Sequence, residues 1–91
     1  MGPAVDDLRH TVEEAFGNGD TRLVLNLADV RMIDSSGIGV LVRSLAVAKQ
    51  RGGNVKLVQP SEFAVKTLRV VGVLNLFEIF EDDDRAVDSF A

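Results

Sequence analysis

Three short, almost wholly apolar runs, separated by stretches with helical spacing, restrict the fold of this sequence more than any other feature. The runs occupy residues 22–27, 55–58 and 76–80. A short continuous apolar run is typical of a buried strand in a parallel sheet, because helices cover both faces of such a sheet. The sequence therefore predicts three strands.

Amphipathic helices are predicted before, between and after these strands. Apolar residues recur at three- and four-residue steps over residues 6–16, over 38–51 and in a third segment that opens at Pro60 and stops at Gly72. A short terminal helix follows the acidic run at 82–84. Strands that alternate with helices through short links indicate an α/β fold, here a small, mostly parallel sheet with right-handed crossovers.

The composition excludes several classes of function. The chain has 10 Lys and Arg against 14 Asp and Glu, a net charge of −4, whereas a nucleic-acid or membrane-surface partner requires a basic face. It has no cysteine and one histidine, His10, so we expect no metal site and no cofactor. The start of the sequence lacks the basic and apolar regions of a signal peptide, and no apolar run reaches membrane-spanning length, so we expect neither feature. We predict a single cytosolic domain over residues 1–91.

A polar turn between the first strand and the second helix, Asp34-Ser35-Ser36-Gly37, is the strongest candidate site. It follows the carboxyl end of a strand, where ligands of open α/β sheets collect, and the free amides of a helix start favour negative charge. Gly37 and Gly39 leave room for a close approach by another backbone or a nucleotide. Asp and Ser before a helix are most often simple N-caps, so the tetrapeptide alone defines no function.

The longer sequence around this turn carries more information. The string DVRMIDSSGIGVL at 29–41, after LVLNL at 23–27, strongly resembles the motif of STAS domains, in particular of bacterial anti-sigma factor antagonists. The similarity covers about residues 5–90 and continues through RGG at 51–53, AVKTL at 64–68 and LFEIF at 76–80.

The resemblance implies a binding switch rather than an enzyme. In this family the unphosphorylated antagonist binds an anti-sigma factor, a serine kinase of the GHKL type, and so releases a sigma factor, for example in bacterial stress responses. The kinase uses ATP to phosphorylate the first serine of the Asp-Ser-Ser/Thr-Gly motif, which is Ser35 here. A metal-dependent serine phosphatase reverses the modification.

Elementary electrostatics predicts how a phosphate at this position acts. A phosphoserine adds about −1.5 to −2 charges and three acceptor oxygens. The start of a helix tolerates an anion, because its amides and its dipole are positive there. We therefore expect the helix to stay folded while the partner contact weakens, through bulk and through a dianion beside Asp34.

The second helix supplies a predicted docking face. At about 100° per residue, one side of this helix faces the core and consists of Ile38, Leu41, Val42 and Leu45. The opposite side is predicted to point away from the sheet. The predicted partner-binding residues, which join this outer side to the turn, are Asp34, Ser36, Gly37, Gly39, Val40, Arg43 and Val47. The alternative is that the two valines are ordinary scattered surface residues.

Two other interpretations of the domain stay open. A glycine-rich helix start offers a place for a nucleotide phosphate, although no Gly-x-x-x-x-Gly-Lys-Ser/Thr motif is present and Asp34 would repel a polyphosphate. The second interpretation is that the domain is a STAS module within a larger sensory complex. A serine hydrolase is not supported, since Gly-x-Ser-x-Gly is absent and His10 is predicted to be a surface residue of the first helix.

The start of the chain departs from the family pattern. Members usually have one or two strands before the first helix, and this sequence opens at the helix. The predicted sheet therefore has an edge that is either bare or covered by something else. Pairing of that edge with a second copy, which gives a homodimer, is one way to cover it.

Overall fold

A computed structural model describes the backbone of residues 3–90 and the side chains of residues 7–90. Its elements, in chain order, are α1 (Pro3–Gly17), β1 (Arg22–Asn26), α2 (Ser35–Gln50), β2 (Asn54–Val58), α3 (Glu62–Val71), a 3₁₀ turn (Leu74–Leu76), β3 (Glu78–Phe80) and α4 (Asp83–Asp88). The α/β class and the order of helices and strands predicted from the sequence are confirmed.

The strands form one all-parallel sheet in the order β1-β2-β3. Arg22 pairs with Asn54 at the start of the β1–β2 ladder, and Lys56 pairs with Glu78 at the start of the β2–β3 ladder. Both crossovers step in the same direction across the sheet. Right-handed connections therefore place α2 and α3 on one face, and α1 packs beside α2.

The main core lies between the sheet and helices α1, α2 and α3. Side chains from each layer meet there, and its fully buried large residues are Leu27, Leu41, Leu57, Leu68 and Val55. Full burial of each such side chain contributes about 1.5–3 kcal/mol. The buried residues of β1 and β2 that enter this core alternate along each strand, so the other sheet face needs a separate cover.

That other face is covered by α4, which contacts all three strands. Lys56 of β2 points to this side and is only 4% exposed. Its Nζ donates to Ser89 Oγ at 2.6 Å, lies 3.2 Å from Glu78 Oε2, and sits 4.1 Å from the centroid of the Phe90 ring. A buried ammonium group is tolerated only with such partners, so Lys56 ties the C-terminal segment to the sheet.

The last strand is shorter than the predicted run at 76–80. Leu76 belongs to the 3₁₀ turn, in which the Leu76 amide donates to the Val73 carbonyl and the Phe77 amide to the Leu74 carbonyl. Phe77 is buried in the core although it precedes the strand, and Leu76 is half exposed. Phe77 is therefore apolar because it fills the core from the turn, and not because it belongs to the strand. The assignment of Leu76 and Phe77 to a strand is wrong.

Two glycines end α2 as predicted, each for a different reason. Gly52 has a left-handed φ of 82°, a conformation that glycine adopts without a steric cost. At Gly53 an added Cβ would lie 1.7 Å from the carbonyl oxygen of Thr21. The chain is held close at this point because the Asn54 amide donates to the same oxygen at 3.0 Å.

The outer edge of β1 has no strand partner among the described residues. A groove of about 340 Å³ lies between this edge and α1, with walls that include Leu8, Thr11, Val24 and Val30. This is the sheet edge that the sequence predicts to be either bare or covered by something else.

Candidate functional site

The candidate site is built on the turn that joins β1 to α2. Ile33 is buried and anchors the turn in the core. The next residue, Asp34, has an extended backbone, and its Oδ1 accepts a hydrogen bond from the Gly37 amide at 3.0 Å. Asp34 is therefore the N-cap, as sequence reasoning allowed, and the helix begins at Ser35 rather than near residue 38.

The cap also sets the charge state of Asp34. The backbone amide of Gly37, with a smaller contribution from that of Ser36, holds the pKa of this carboxyl below its ordinary value of 3.8. Hydrogen bonds to the charged form of a carboxyl favour that form. Asp34 is consequently an anion at neutral pH, fixed in place next to Ser35.

Ser35 is the first residue of α2, and its side chain is exposed. Its hydroxyl makes no hydrogen bond to the backbone of residues 3–90 or to the side chains of residues 7–90. An incoming enzyme therefore meets a free hydroxyl at the positive end of a 16-residue helix. The accessibility that a phosphoacceptor needs is present.

A groove of about 560 Å³ separates the first turns of α2 from α1. Four of the predicted partner-binding residues line its α2 wall: Ser36, Gly39, Val40 and Arg43. The opposite wall comes from α1 and consists of Arg9, Val12, Glu13 and Phe16. The structure thus brings the predicted residues together beside a helix that sequence reasoning did not assign to the site.

The buried side of α2 agrees with the sequence prediction at Leu41 and Leu45 and also includes small residues that were not predicted. It consists of Gly37, Leu41, Ser44, Leu45 and Ala48. Ile38, predicted to face the core, packs against it, and Val42 is half-buried. Val40 and Val47, predicted to point outward, are half-buried rather than exposed. Gly37, Ser44 and Ala48 are small and let α2 approach its neighbours closely, an effect that counting large apolar residues overlooks.

The two glycines of the motif have different surroundings. Gly37 is buried, and its amide serves the cap, so the structure places it beneath the predicted docking surface. Gly39 is exposed, and a Cβ built there would meet nothing within 4 Å. The open space at Gly39 is available to another molecule, and its role in binding one stays a prediction.

A continuous exposed strip runs along α2 from the candidate phosphosite. Ser35, Gly39 and Arg43 follow one another at four-residue steps and are all exposed. Residues at this spacing lie on the same side of a helix. The next member of the series, Val47, is half-buried and lies toward the end of the strip.

Sequence reasoning missed the contribution of α1. Arg9 and Glu13 lie four residues apart and both face the groove, a spacing that places two side chains on one side of a helix. Nothing in the sequence sets the position of α1 against α2, because that contact depends on packing between distant segments. Farther along, Phe16 packs under the guanidinium of Arg51, 5.4 Å from the ring centroid.

Other groups with possible chemistry have structural roles. Asp82 caps α4 by accepting from the Arg85 amide at 2.8 Å, and Asp83 accepts from Asn26 Nδ2 at 3.0 Å. His10 is exposed on α1 and lies 3.6 Å from Glu14. Among the side chains of residues 7–90, no three from His, Asp or Glu are arranged to hold a metal ion. The same residues contain no helix with the length and apolar content needed to cross a membrane.

The family profile of the STAS domain matches residues 2–86. The chain therefore belongs to the STAS domain family, which confirms the resemblance carried by its motif.

Named relatives agree with this assignment. The chain is 29% identical over 76 residues to a Thermotoga neapolitana protein named "Putative anti-sigma factor antagonist TM1081 homolog", a match that covers 84% of this chain and 67% of that protein. It is 34% identical over 53 residues to the anti-sigma-B factor antagonist of Bacillus subtilis. That match covers 58% of this chain and 49% of the Bacillus protein, so it spans about half of that relative.

Solved structures show the same fold. The crystal structure of a putative anti-sigma factor antagonist from Thermotoga maritima, TM1081, superposes with a TM-score of 0.80 at 25% identity. The match covers 93% of this chain and 76% of that one. An NMR structure of the protein TM1081 gives a TM-score of 0.78 at 27% identity, with coverage of 89% and 65%.

Proposed function

We propose that this chain is an anti-sigma factor antagonist whose partner binding is switched by phosphorylation of Ser35. The exposed hydroxyl of Ser35 at the start of α2, next to the ionised cap Asp34, carries this proposal. The names of its relatives support the general role. The chain acts as a binding protein and as the substrate of its partner, and contributes no catalytic group of its own.

The unphosphorylated chain binds an anti-sigma factor, a serine kinase of the GHKL type, and so frees a sigma factor. The strip of Ser35, Gly39 and Arg43 supplies the centre of the contact, because all three are exposed on one side of α2. Val40 and Ser36 line the adjoining groove and provide its flank. A partner that binds the strip covers the phosphosite.

Phosphorylation ends this contact through local repulsion. A phosphate at Ser35 adds about two negative charges beside the carboxylate of Asp34, which the Gly37 amide fixes in place. The amides and the dipole of α2 accommodate these charges within the chain itself. The helix therefore stays folded, and the phosphate makes the free energy of partner binding less favourable. A serine phosphatase restores binding by removing the phosphate.

A phosphorylation assay tests this function. The GHKL-type kinases of the organism that encodes the chain are purified and incubated with it and ATP, and the modified residue is located by mass spectrometry. We expect one phosphate, on Ser35, and none in Ser35→Ala. Ser36→Ala is the matched control and stays a substrate, because it removes the neighbouring hydroxyl and leaves Ser35 in place. If none of these kinases binds or phosphorylates the chain, the proposed function is refuted.

A further inference from the structure

A second apolar surface lies at the same end of the sheet as Ser35. Met32 is 65% exposed and Phe63 is 56% exposed. Both border a groove of about 780 Å³ between the β1–α2 turn and the first turn of α3. Large apolar side chains that lie together in water are unusual on a protein surface unless they meet another molecule.

The chain holds this surface in a defined shape. Ile33 is buried, so the turn is anchored directly beside Met32. Ser61 Oγ donates to the Arg31 carbonyl at 2.8 Å and also accepts from the Ala64 amide at 3.0 Å as the N-cap of α3. One hydroxyl therefore fixes the turn that carries Met32 against the helix that carries Phe63.

Helix α3 extends the surface along its outer side. Val70 lies seven residues after Phe63, on the same side of the helix, and is 78% exposed. Lys66 lies between them and borders the same groove as Phe63. Two exposed apolar side chains at this spacing, with a cation between them, can contact one partner segment laid along the helix.

The charge of the groove is positive on balance. Arg31 and Lys66 line it together with a single acidic residue, Glu62. Among the side chains of residues 7–90, neither cation has an ion-pair partner. This is a local exception in a chain with a net charge of −4, and it favours an acidic partner segment.

We propose that Met32, Phe63, Lys66 and Val70 form a second docking surface for the same anti-sigma factor, and that it receives an acidic segment carrying an apolar side chain. This inference rests on the proposed function. Its link to the phosphosite is continuity along the chain, since Met32 precedes Ser35 by three residues. A single partner can therefore cover both surfaces, with the phosphate acting at one and the apolar contact at the other.

The test uses the kinase that phosphorylates Ser35 in the assay above, with affinities measured by calorimetry in the absence of ATP. The double variant Met32→Ser, Phe63→Ser should bind about tenfold more weakly or worse, the usual effect of removing central apolar contacts. Val87→Ser is the matched control, because Val87 is 57% exposed but lies on α4, and its affinity should not change. Lys66→Glu should slow association, most strongly at low salt.

The outcomes separate the two proposals. If the double variant binds with unchanged affinity while the phosphorylated wild type no longer binds, the second surface is overturned. The function of Ser35 then stands. Absence of binding by wild-type protein overturns the proposed function itself. A dimer of the wild type that the double variant loses would assign the surface to a second copy and overturn this inference. Circular dichroism melts verify that the variants fold. If the double variant does not fold, the single variants Met32→Ala and Phe63→Ala replace it.

Discussion

The carboxylate of Asp34 accepts the backbone amide of Gly37 at 3.0 Å, and Ser35 lies between these two residues with its side chain exposed. One hydrogen bond therefore begins α2, keeps an anion in place and presents a hydroxyl to solvent. Because the cap is made by Asp34 and not by Ser35, modification of the serine leaves the helix start intact.

The cap predicts a specific response to acid. The Gly37 amide lowers the pKa of Asp34 below 3.8. At pH values between the folded and the unfolded pKa, the folded chain therefore binds fewer protons at this residue than the unfolded chain does. The stabilisation by the carboxylate is complete above the unfolded pKa and is lost as the pH falls through the lower folded pKa. Asp34→Asn can still accept the Gly37 amide but carries no charge. Thermal melts from neutral pH to about pH 2 should therefore show a wild-type advantage that disappears in acid, and a gap that does not vary with pH would count against this role.

Two glycine-to-alanine variants should have opposite effects on stability. At Gly53 the new Cβ would lie 1.7 Å from a backbone oxygen of Thr21, so the backbone must shift, at a cost of about 1–3 kcal/mol. At Gly39 the Cβ meets nothing within 4 Å, and alanine in a helix is favoured over glycine by up to about 1 kcal/mol. Urea unfolding of both variants measures these changes. Equal effects would show that the close approach at Thr21 is absent in solution.

Lys56 should control the attachment of α4. Lys56→Ala removes the contacts to Ser89 and Glu78 together with the packing of the lysine stem, and a loss of about 2 kcal/mol is expected. Hydrogen exchange should show that the amides of α4 lose protection before those of α2. Lys66→Ala, at an exposed lysine, is the control. Equal loss of protection in both helices would mean that Lys56 supports the whole fold and not this attachment.

The open edge of β1 gives homodimer formation, one of the ways to cover this edge, a direct test. Sedimentation equilibrium should show a dimer whose population rises with concentration. Thr11→Lys adds a long charged side chain to the exposed groove beside this edge and should shift the equilibrium toward monomer, since charge at a sheet edge opposes pairing. A wild-type chain that stays monomeric throughout would contradict the prediction.

Much of the fold could be predicted from the sequence, because its apolar runs and helical spacings are local features. The same is true of the site at Ser35, where the cap, the glycines and the motif all lie within a few residues. The buried side of α2 was predicted for its large residues, Leu41 and Leu45, but not for its small ones. Gly37, Ser44 and Ala48 are buried through close packing, which depends on the neighbouring elements and leaves no apolar pattern of its own.

The second docking surface was beyond sequence reasoning for a similar reason. Met32 and Phe63 lie 31 residues apart in the sequence, and each alone is an ordinary apolar residue. The parallel pairing of β1 with β2 brings the segments that follow these strands to one edge of the sheet. The hydrogen bond from Ser61 to the Arg31 carbonyl then joins them. The burial of Lys56 is comparable, since its partners Ser89 and Phe90 come from the far end of the chain.

The central claim is that a phosphate on Ser35 changes binding and not folding. The most direct test compares the phosphorylated and unphosphorylated chain in a calorimetric titration with its anti-sigma factor, alongside thermal melts of both forms. We expect the affinity to fall by about tenfold or more, with little change in the melting temperature and in helix content. Equal affinity of the two forms, or a phosphorylated chain that has lost its helices, would contradict the account.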